Sequence, residues 1–367
     1  MKIKTITCHD ELNFGASLQA FSLQRYLGTK NHQVEIIDYK PSYSSGHYNL
    51  WAVSNPIYDK PIIKLLYLLA KLPGRLCGLK RKRTFDSFNS KYLKLTKRYN
   101  SYEDLKADAP LADCYIAGSD QIWNTLFPNG RDAAFYMDFG AKEVKRISYA
   151  ASFATPTIAP EFRDFVSEKL RGIDAISIRE RISLPLLTEL GRKDGVAVCD
   201  PVFLLSKDEW NKTLSLEKPL FNVTEKYLLV YLTDKGPQIE RIAQEIKKKT
   251  GWKIYSVGAI KSQCADKSFT NAGPLDFVQL IRDAQFVISN SFHATAFSLI
   301  METKFCVVNR ADAINERMKS ILEDYGLSDR LVSEYNDELL QELDLNALSV
   351  CQKGIVDASK EWLNSQL

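Results

Sequence analysis

Histidine is scarce in this chain, four residues in 367. No Cys-x-x-Cys pair, His-x-x-x-His pair or carboxylate ladder occurs, so the sequence offers no metal site. The glycine patterns of nucleotide binding are missing too. Asn13-Phe14-Gly15-Ala16-Ser17-Leu18-Gln19-Ala20, between the first strand and first helix, carries one glycine, hence neither a Gly-x-Gly-x-x-Gly fingerprint nor a P-loop, which argues against a nicotinamide cofactor. No stretch reaches the roughly 18 uncharged apolar residues of a membrane span. The N-terminus alternates polar and apolar residues like a strand and lacks the apolar core of a signal peptide. Lys plus Arg minus Asp plus Glu is 49 − 45 = +4, too small an excess to suggest a nucleic-acid partner. The seven cysteines (8, 77, 114, 199, 264, 306 and 351) are odd in number and scattered, most of them in apolar strings such as Phe305-Cys306-Val307. They read as reduced, buried thiols, and the expected location is cytoplasmic.

What is present is enough apolar residue, 45% of the chain, for two cores, and at about 150 residues per domain the length predicts two domains. Short apolar runs alternate with segments of helical period, the rhythm of parallel strands joined by crossover helices. Strands are expected at 2–8, 34–38, 114–117, 146–150, 175–179, 196–199, 227–232, 253–257, 286–289 and 305–309. Helices are expected at 16–28, 161–171, 182–191, 238–250, 274–282, 294–302 and 316–325. The fold class is α/β, two Rossmann-like domains facing a cleft. The division falls after Asp200-Pro201-Val202-Phe203-Leu204-Leu205, giving domains at 1–205 and 206–350. Within 351–367, Val356 to Leu367 reads as an amphipathic helix, a candidate to pack back on the first domain.

Residues from about 40 to 110 break the rhythm: a tyrosine-rich stretch precedes Lys60-Pro61-Ile62-Ile63-Lys64-Leu65-Leu66-Tyr67-Leu68-Leu69-Ala70-Lys71-Leu72. Lys60 to Arg83 holds eight Lys or Arg and no Asp or Glu. A helix apolar on one side and cationic on the other can lie on an anionic membrane surface, so 60–83 is a candidate for peripheral membrane contact. The alternative is a core-packed helix followed by a solvated basic loop.

Two strings carry candidate chemistry. In Phe286-Val287-Ile288-Ser289-Asn290-Ser291-Phe292-His293-Ala294, a buried strand gives way to a helix start, with Asn290 or Ser291 as N-cap and His293 in the first turn. The free N–H groups and positive end of such a helix suit a phosphate or carboxylate, and a bound dianion would favour a protonated, acidic His293. The plainer reading is a ring that caps or packs there. In Cys114-Tyr115-Ile116-Ala117-Gly118-Ser119-Asp120-Gln121-Ile122-Trp123-Asn124, a strand ends in glycine and then offers carboxylate, amide and indole, the apparatus for sugar hydroxyls and ring faces, or else a capped turn with Trp123 in the core. Arg179, at the end of Ala175-Ile176-Ser177-Ile178, can grip an anion or pair with Glu180.

These strings, with Ala151-Ser152-Phe153, Ser177-Ile178-Arg179-Glu180 and Asp200-Pro201-Val202-Phe203, occur in the order and approximate spacing of the polysaccharide pyruvyl transferase family. The resemblance covers roughly residues 5 to 330. It implies a fold similar to B-type glycosyltransferases and transfer of pyruvate from phosphoenolpyruvate onto a sugar as a ketal, with no cofactor beyond that co-substrate. By position, His293 matches the family's acid near the donor and Arg179 an arginine that holds the donor's anionic groups. Asn290, Ser291, Phe292 and Ser152 complete the expected donor site; Asn13, Asp120, Gln121 and Trp123 are the expected acceptor contacts, with Asp120 a candidate base. Many members read Arg-Leu-His where this chain reads Ser291-Phe292-His293, so a cation must come from elsewhere, with Arg146, Lys261 and Arg310 as candidates. The acceptor is expected to be a glycan precursor, lipid-linked if 60–83 docks on a membrane. Two rivals stand beside this reading: a nucleotide-sugar glycosyltransferase and a non-catalytic glycan-binding relative.

Overall fold

Thirteen strands form two sheets in a computed structural model that describes residues 1–45, 53, 56–58, 60–218, 223–234, 236–309 and 315–367. The first sheet contains β1 (Lys2–Ile6), β2 (Gln33–Tyr39), β3 (Leu95–Tyr99), β4 (Cys114–Ala117), β5 (Lys145–Ala151), β6 (Ala175–Ile178) and β7 (Val196–Ala197) in the order β3-β2-β1-β4-β5-β6-β7. The second contains β8 (Tyr227–Tyr231), β9 (Lys253–Val257), β10 (Lys267–Phe269), β11 (Phe286–Ser289), β12 (Phe305–Val308) and β13 (Leu331–Val332) in the order β10-β9-β8-β11-β12-β13. Every pairing is parallel. Helices are α1 (Phe14–Thr29), α2 (Ser42–Ser45), α3 (Pro61–Tyr92), α4 (Tyr102–Ala107), α5 (Pro160–Arg171), α6 (Leu184–Glu189), α7 (Lys207–Ser215), α8 (Pro237–Thr250), α9 (Pro274–Arg282), α10 (Phe292–Met301), α11 (Asn315–Asp324) and α12 (Leu345–Ser365). These are two doubly wound, Rossmann-like units. Central strands such as β4, β8 and β11 are buried at every position, as strands covered by helices on both faces must be.

Strand order reverses between β1 and β4 in the first unit and between β8 and β11 in the second. Open parallel sheets bind ligands at such switch points, beyond the carboxyl ends of the strands. Side chains bridge both. Thr7 Oγ1 donates to the Ser119 carbonyl (2.5 Å) across the first, and Asn290 Oδ1 accepts from Thr233 N and Oγ1 (3.1 and 2.9 Å) across the second.

The units share apolar packing where they meet. Phe14 at the start of α1 stacks on Phe277 of α9 (4.5 Å between centroids) and on Phe85 of α3 (5.5 Å), with the Arg81 guanidinium 4.8 Å from its ring. Beyond the second sheet, α12 returns to the first unit: Ser359 Oγ accepts from Cys199 N (2.9 Å), and Asn364 accepts from Tyr26 Oη (3.1 Å).

Differences from the sequence reading concentrate at edges and in the insertion. β3 pairs with β2 as an edge strand inside 40–110; Leu95-Thr96-Lys97-Arg98-Tyr99 is mostly polar because one side of an edge strand faces water. α12 begins at Leu345, eleven residues before the expected Val356 (356 − 345 = 11), because its first turns are mostly exposed and show little apolar periodicity. The core-packed helix followed by a basic loop is overturned. α3 runs unbroken for 32 residues through Pro73, and none of its residues from Pro61 to Lys80 whose exposure is described is buried.

Near the end of β2, Asp38 is nearly buried beside an imidazole and two cations: His9 Nε2 lies 3.0 Å, Lys40 Nζ 3.4 Å and Arg98 Nε 3.3 Å from its carboxylate. Burial opposes its charge, but the His9 hydrogen bond, Lys40 and Arg98 outweigh this and hold the carboxyl down at about 2. Because the folded value lies below the unfolded one, the contribution is complete above about pH 4 and is lost as pH falls through about 2. Asp38→Asn therefore lowers stability by on the order of 2 kcal/mol at neutral pH, and its deficit against wild type shrinks on acidification in urea titrations from pH 6 to pH 3. A deficit constant across that range would contradict the assignment.

Candidate active site

Strands β1, β4, β5 and β6 end on one edge of the first sheet, and the residues just past them form a buried chain of hydrogen bonds. Gln19 Nε2 donates to Thr7 Oγ1 (2.9 Å), and Thr7 donates to Ser119 O. Ser119 Oγ donates to Asp200 Oδ2 (2.8 Å), and Arg179 Nη1 donates to that same oxygen (3.0 Å). Arg179 Nε donates to Glu180 Oε1 (3.0 Å), which also accepts from Ser152 Oγ (2.6 Å).

Asp200 is the hub. It caps a 3-10 turn, Pro201–Leu204, accepting from Val202 N (3.1 Å), while Pro201 occupies the turn's first position, where no N–H is needed. Burial opposes its charge, but the His293 imidazole, the Arg179 guanidinium and the Val202 N–H overcome this and hold the carboxyl well below the usual range. Burial likewise works against the Arg179 charge, and Glu180 and Asp200 more than compensate, so the guanidinium stays cationic.

The second unit contributes His293 and Phe292 from the first turn of α10. The imidazole lies directly over Gly15, where a Cβ would fall inside the ring, so only glycine admits it. Its Nε2 is buried without a hydrogen-bond partner and sits 3.7 Å from Asp200 Oδ2, an ion-pair separation too long for a hydrogen bond. The Phe292 ring meets His293 edge-on (5.3 Å) and underlies the Arg179 guanidinium (4.5 Å). Strained backbone gathers nearby: Asp120 (φ 83°) and Ala150 (φ 56°, beside a register shift in β5) are left-handed.

Several expected contacts fall elsewhere. Trp123 is fully buried, stacked on Tyr136 with its indole N–H bound to Phe135 O, so it belongs to the core and touches no acceptor. Ser152 is fully buried behind Glu180, and Asn290 is occupied by Thr233 and by Asp234, to which it donates (2.6 Å). Ser291 is the N-cap of α10, but its side chain caps nothing and its N–H donates to Ser289 Oγ (3.0 Å), which removes it from the expected anion site. Asn13 caps α1 through Gly15 N and Ala16 N. Gln121 Oε1 is held by Asn124 (2.9 Å), whereas Asp120 has Oδ1 engaged by Gln121 N (2.8 Å) and no described partner at Oδ2. Arg146 is spent on five backbone carbonyls at the far, N-terminal end of β5, and Lys261 is exposed in the loop after β9; neither supplies the missing cation. Arg310 lies outside the described residues.

Sequence alone assigns no role to Asp200, Ser119 or Gly15, and to Glu180 only the pairing with Arg179 that the structure shows. The one available signal was Asp200-Pro201 at the end of an apolar run, which marks a capped turn at a sheet edge. Beside Arg179 and Phe292 opens a cavity of about 330 Å³, walled by Phe203, Ile321, Tyr325 and Ile355, a volume suited to a small ligand. Among the described residues no three His, Cys, Asp or Glu side chains are grouped to hold a metal ion.

The sequence pattern of the family "polysaccharide pyruvyl transferase" matches residues 13–312, most of the chain, and includes Gly15, Ser119, Arg179, Glu180, Asp200 and His293. The chain belongs to that family. It is a family of transferases, so a transferase is what this fold and site serve. No curated protein matches the sequence. Among solved structures, S. aureus MnaA in complex with UDP is similar at 12% identity and a TM-score of 0.53, over 99% of this chain and 97% of that one. The UDP-GlcNAc 2-epimerase of Neisseria meningitidis, bound to UDP-GlcNAc, is similar at 13% identity and a TM-score of 0.50, over 100% and 99%. At such identity the likeness is one of fold, two Rossmann-like units around a cleft as in B-type glycosyltransferases.

Asp200→Asn leaves the buried Arg179 charge short of one partner and costs about 3–5 kcal/mol of stability in denaturant unfolding, whereas a cost below 1 kcal/mol would deny Asp200 its place as hub. Gly15→Ala displaces the imidazole, which a crystal structure of the variant will show; an unmoved ring would contradict the packing described.

Proposed function

We propose that the chain transfers pyruvate from phosphoenolpyruvate to a sugar of a polysaccharide precursor, forming a ketal. The observation that carries this reading is His293 Nε2: buried, without a hydrogen-bond partner, and facing a carboxylate–guanidinium pair where the two units meet. Buried polar atoms are almost always paired, so an orphaned nitrogen at a switch-point edge is best explained by a substrate that supplies the missing partner.

The chemistry follows from these groups. His293 gives a proton from Nε2 to the methylene carbon of the enol ester, turning it into a methyl group and leaving an oxocarbenium-like centre on the adjacent carbon. Asp200, 3.7 Å away, offsets the imidazolium charge before transfer. A sugar hydroxyl adds to the electron-poor carbon and loses its proton, for which Asp120 Oδ2 is our candidate acceptor. The carbon–oxygen bond to phosphate then breaks, inorganic phosphate departs with the bonding electrons, and a second hydroxyl closes the ketal, its proton returning to the neutral His293 imidazole. Arg179 has two edges committed to carboxylates, through Nε and Nη1, which leaves Nη2 for a donor oxygen. The N–H groups of the first turn of α10, starting at Phe292, meet the other end of the dianion. The reading needs no redox cofactor, and it places the protein where nucleotide-sugar products or lipid-linked precursors are elaborated, on the cytoplasmic side.

Purified protein given phosphoenolpyruvate and a polysaccharide precursor releases inorganic phosphate, and His293→Ala lowers that rate by roughly 10²–10⁴-fold, the span expected for a lost general acid, in a variant whose folded state is checked by circular dichroism. Phosphate release untouched by His293→Ala would remove the assigned acid. Nucleoside diphosphate released from a sugar nucleotide instead would favour the glycosyltransferase reading.

A further inference from the structure

The N-terminal half of α3 stands off the body of the protein with the wrong residues facing water. Ile62, Leu65, Leu66, Leu69 and Leu76 are 48–76% exposed. Their spacing, i, i+3, i+4, i+7 and i+14, sets them on one stripe of a helix that advances about 100° per residue. The residues that anchor the C-terminal half of α3 to the core, Arg81, Phe85 and Phe88, lie on a different face, on average about 120° round the helix from the stripe. The stripe is therefore directed outward, away from any core of its own chain that the described residues provide.

Charge says what can cover it. The stripe continues along the same side into exposed Lys80 and Arg83, and the segment from Lys60 to Arg83 contains eight cations and no anion. A second copy laid symmetrically along the stripe would bring two such segments together, like charge on like charge. A bilayer rich in anionic lipid matches both features at once: acyl chains for the leucines, phosphates for Lys80 and Arg83 at headgroup depth. The helix is not long and apolar enough to cross a membrane, so it would lie along the surface.

We propose that α3 is a peripheral membrane-docking helix that seats the protein on an anionic bilayer through Ile62, Leu65, Leu66, Leu69 and Leu76. This does not depend on the reaction assigned to the site, and its test involves no turnover.

Full-length protein is sedimented with phosphatidylcholine vesicles, with and without phosphatidylglycerol, at low and high salt. The expected result is binding only when phosphatidylglycerol is present, weakened by salt, and reduced on the order of tenfold or more both by Leu65→Glu with Leu69→Glu and by Lys80→Gln with Arg83→Gln. All four positions are exposed, so both variants retain the wild-type thermal melt. Absence of binding to phosphatidylglycerol vesicles, or binding indifferent to the leucine substitutions, overturns the proposal. So does a wild-type dimer in sedimentation velocity that Leu65→Glu with Leu69→Glu dissociates, since the stripe would then be a contact between copies.

Discussion

The carboxylate of Asp200 is the group on which the rest of the site depends. It is out of contact with water, it remains ionised, and it collects a serine hydroxyl, a guanidinium, a backbone N–H and an imidazole from four separate stretches of chain. Taking a carboxylate out of water is costly, and the cost is met only because each of these partners arrives in place. Ser119 comes from the end of β4, Arg179 from the end of β6, Val202 from the turn that Pro201 starts, and His293 from the other unit. The parallel arrangement of the first sheet delivers the first two to the same edge.

The same constraint ties the two units to each other. His293 reaches Asp200 because residue 15 has no side chain, and Phe292 lies against the very guanidinium that Asp200 holds. Phe14, next to Gly15, stacks on Phe277 of the second unit. Chemistry and interdomain packing thus run through adjacent residues of one short segment, Phe14-Gly15, and a disturbance of how the units sit would move the imidazole relative to the carboxylate. The chain that carries it belongs to the polysaccharide pyruvyl transferase family, and its fold is one that the UDP-bound and UDP-GlcNAc-bound structures share at very low identity.

Much of this was legible in the sequence, and the reasons for what was not are physical. Buried parallel strands write themselves as short apolar runs, so β4, β9 and β11 could be read to within a residue, while the edge strand β3, polar on its outer side, could not. Arg179 and His293 stood out as charged or titratable residues just past apolar strands. Asp200 stood in the same position without a role, because nothing local reveals that a carboxylate at residue 200 meets an imidazole at 293. Trp123 shows the opposite failure: next to Asp120 and Gln121 an indole looks available to a sugar, yet its neighbours in space are Tyr136 and Phe153. Identity and spacing disclose which groups exist at a sheet edge. Which of them turn outward is decided by tertiary packing.

The claim that Nε2 of His293 protonates the methylene carbon of an enol ester is tested most directly by running the reaction in D₂O and taking the mass and NMR spectrum of the ketal. The account predicts a single deuterium in the methyl group of the transferred pyruvyl unit. A ketal whose methyl group carries no solvent deuterium would contradict it.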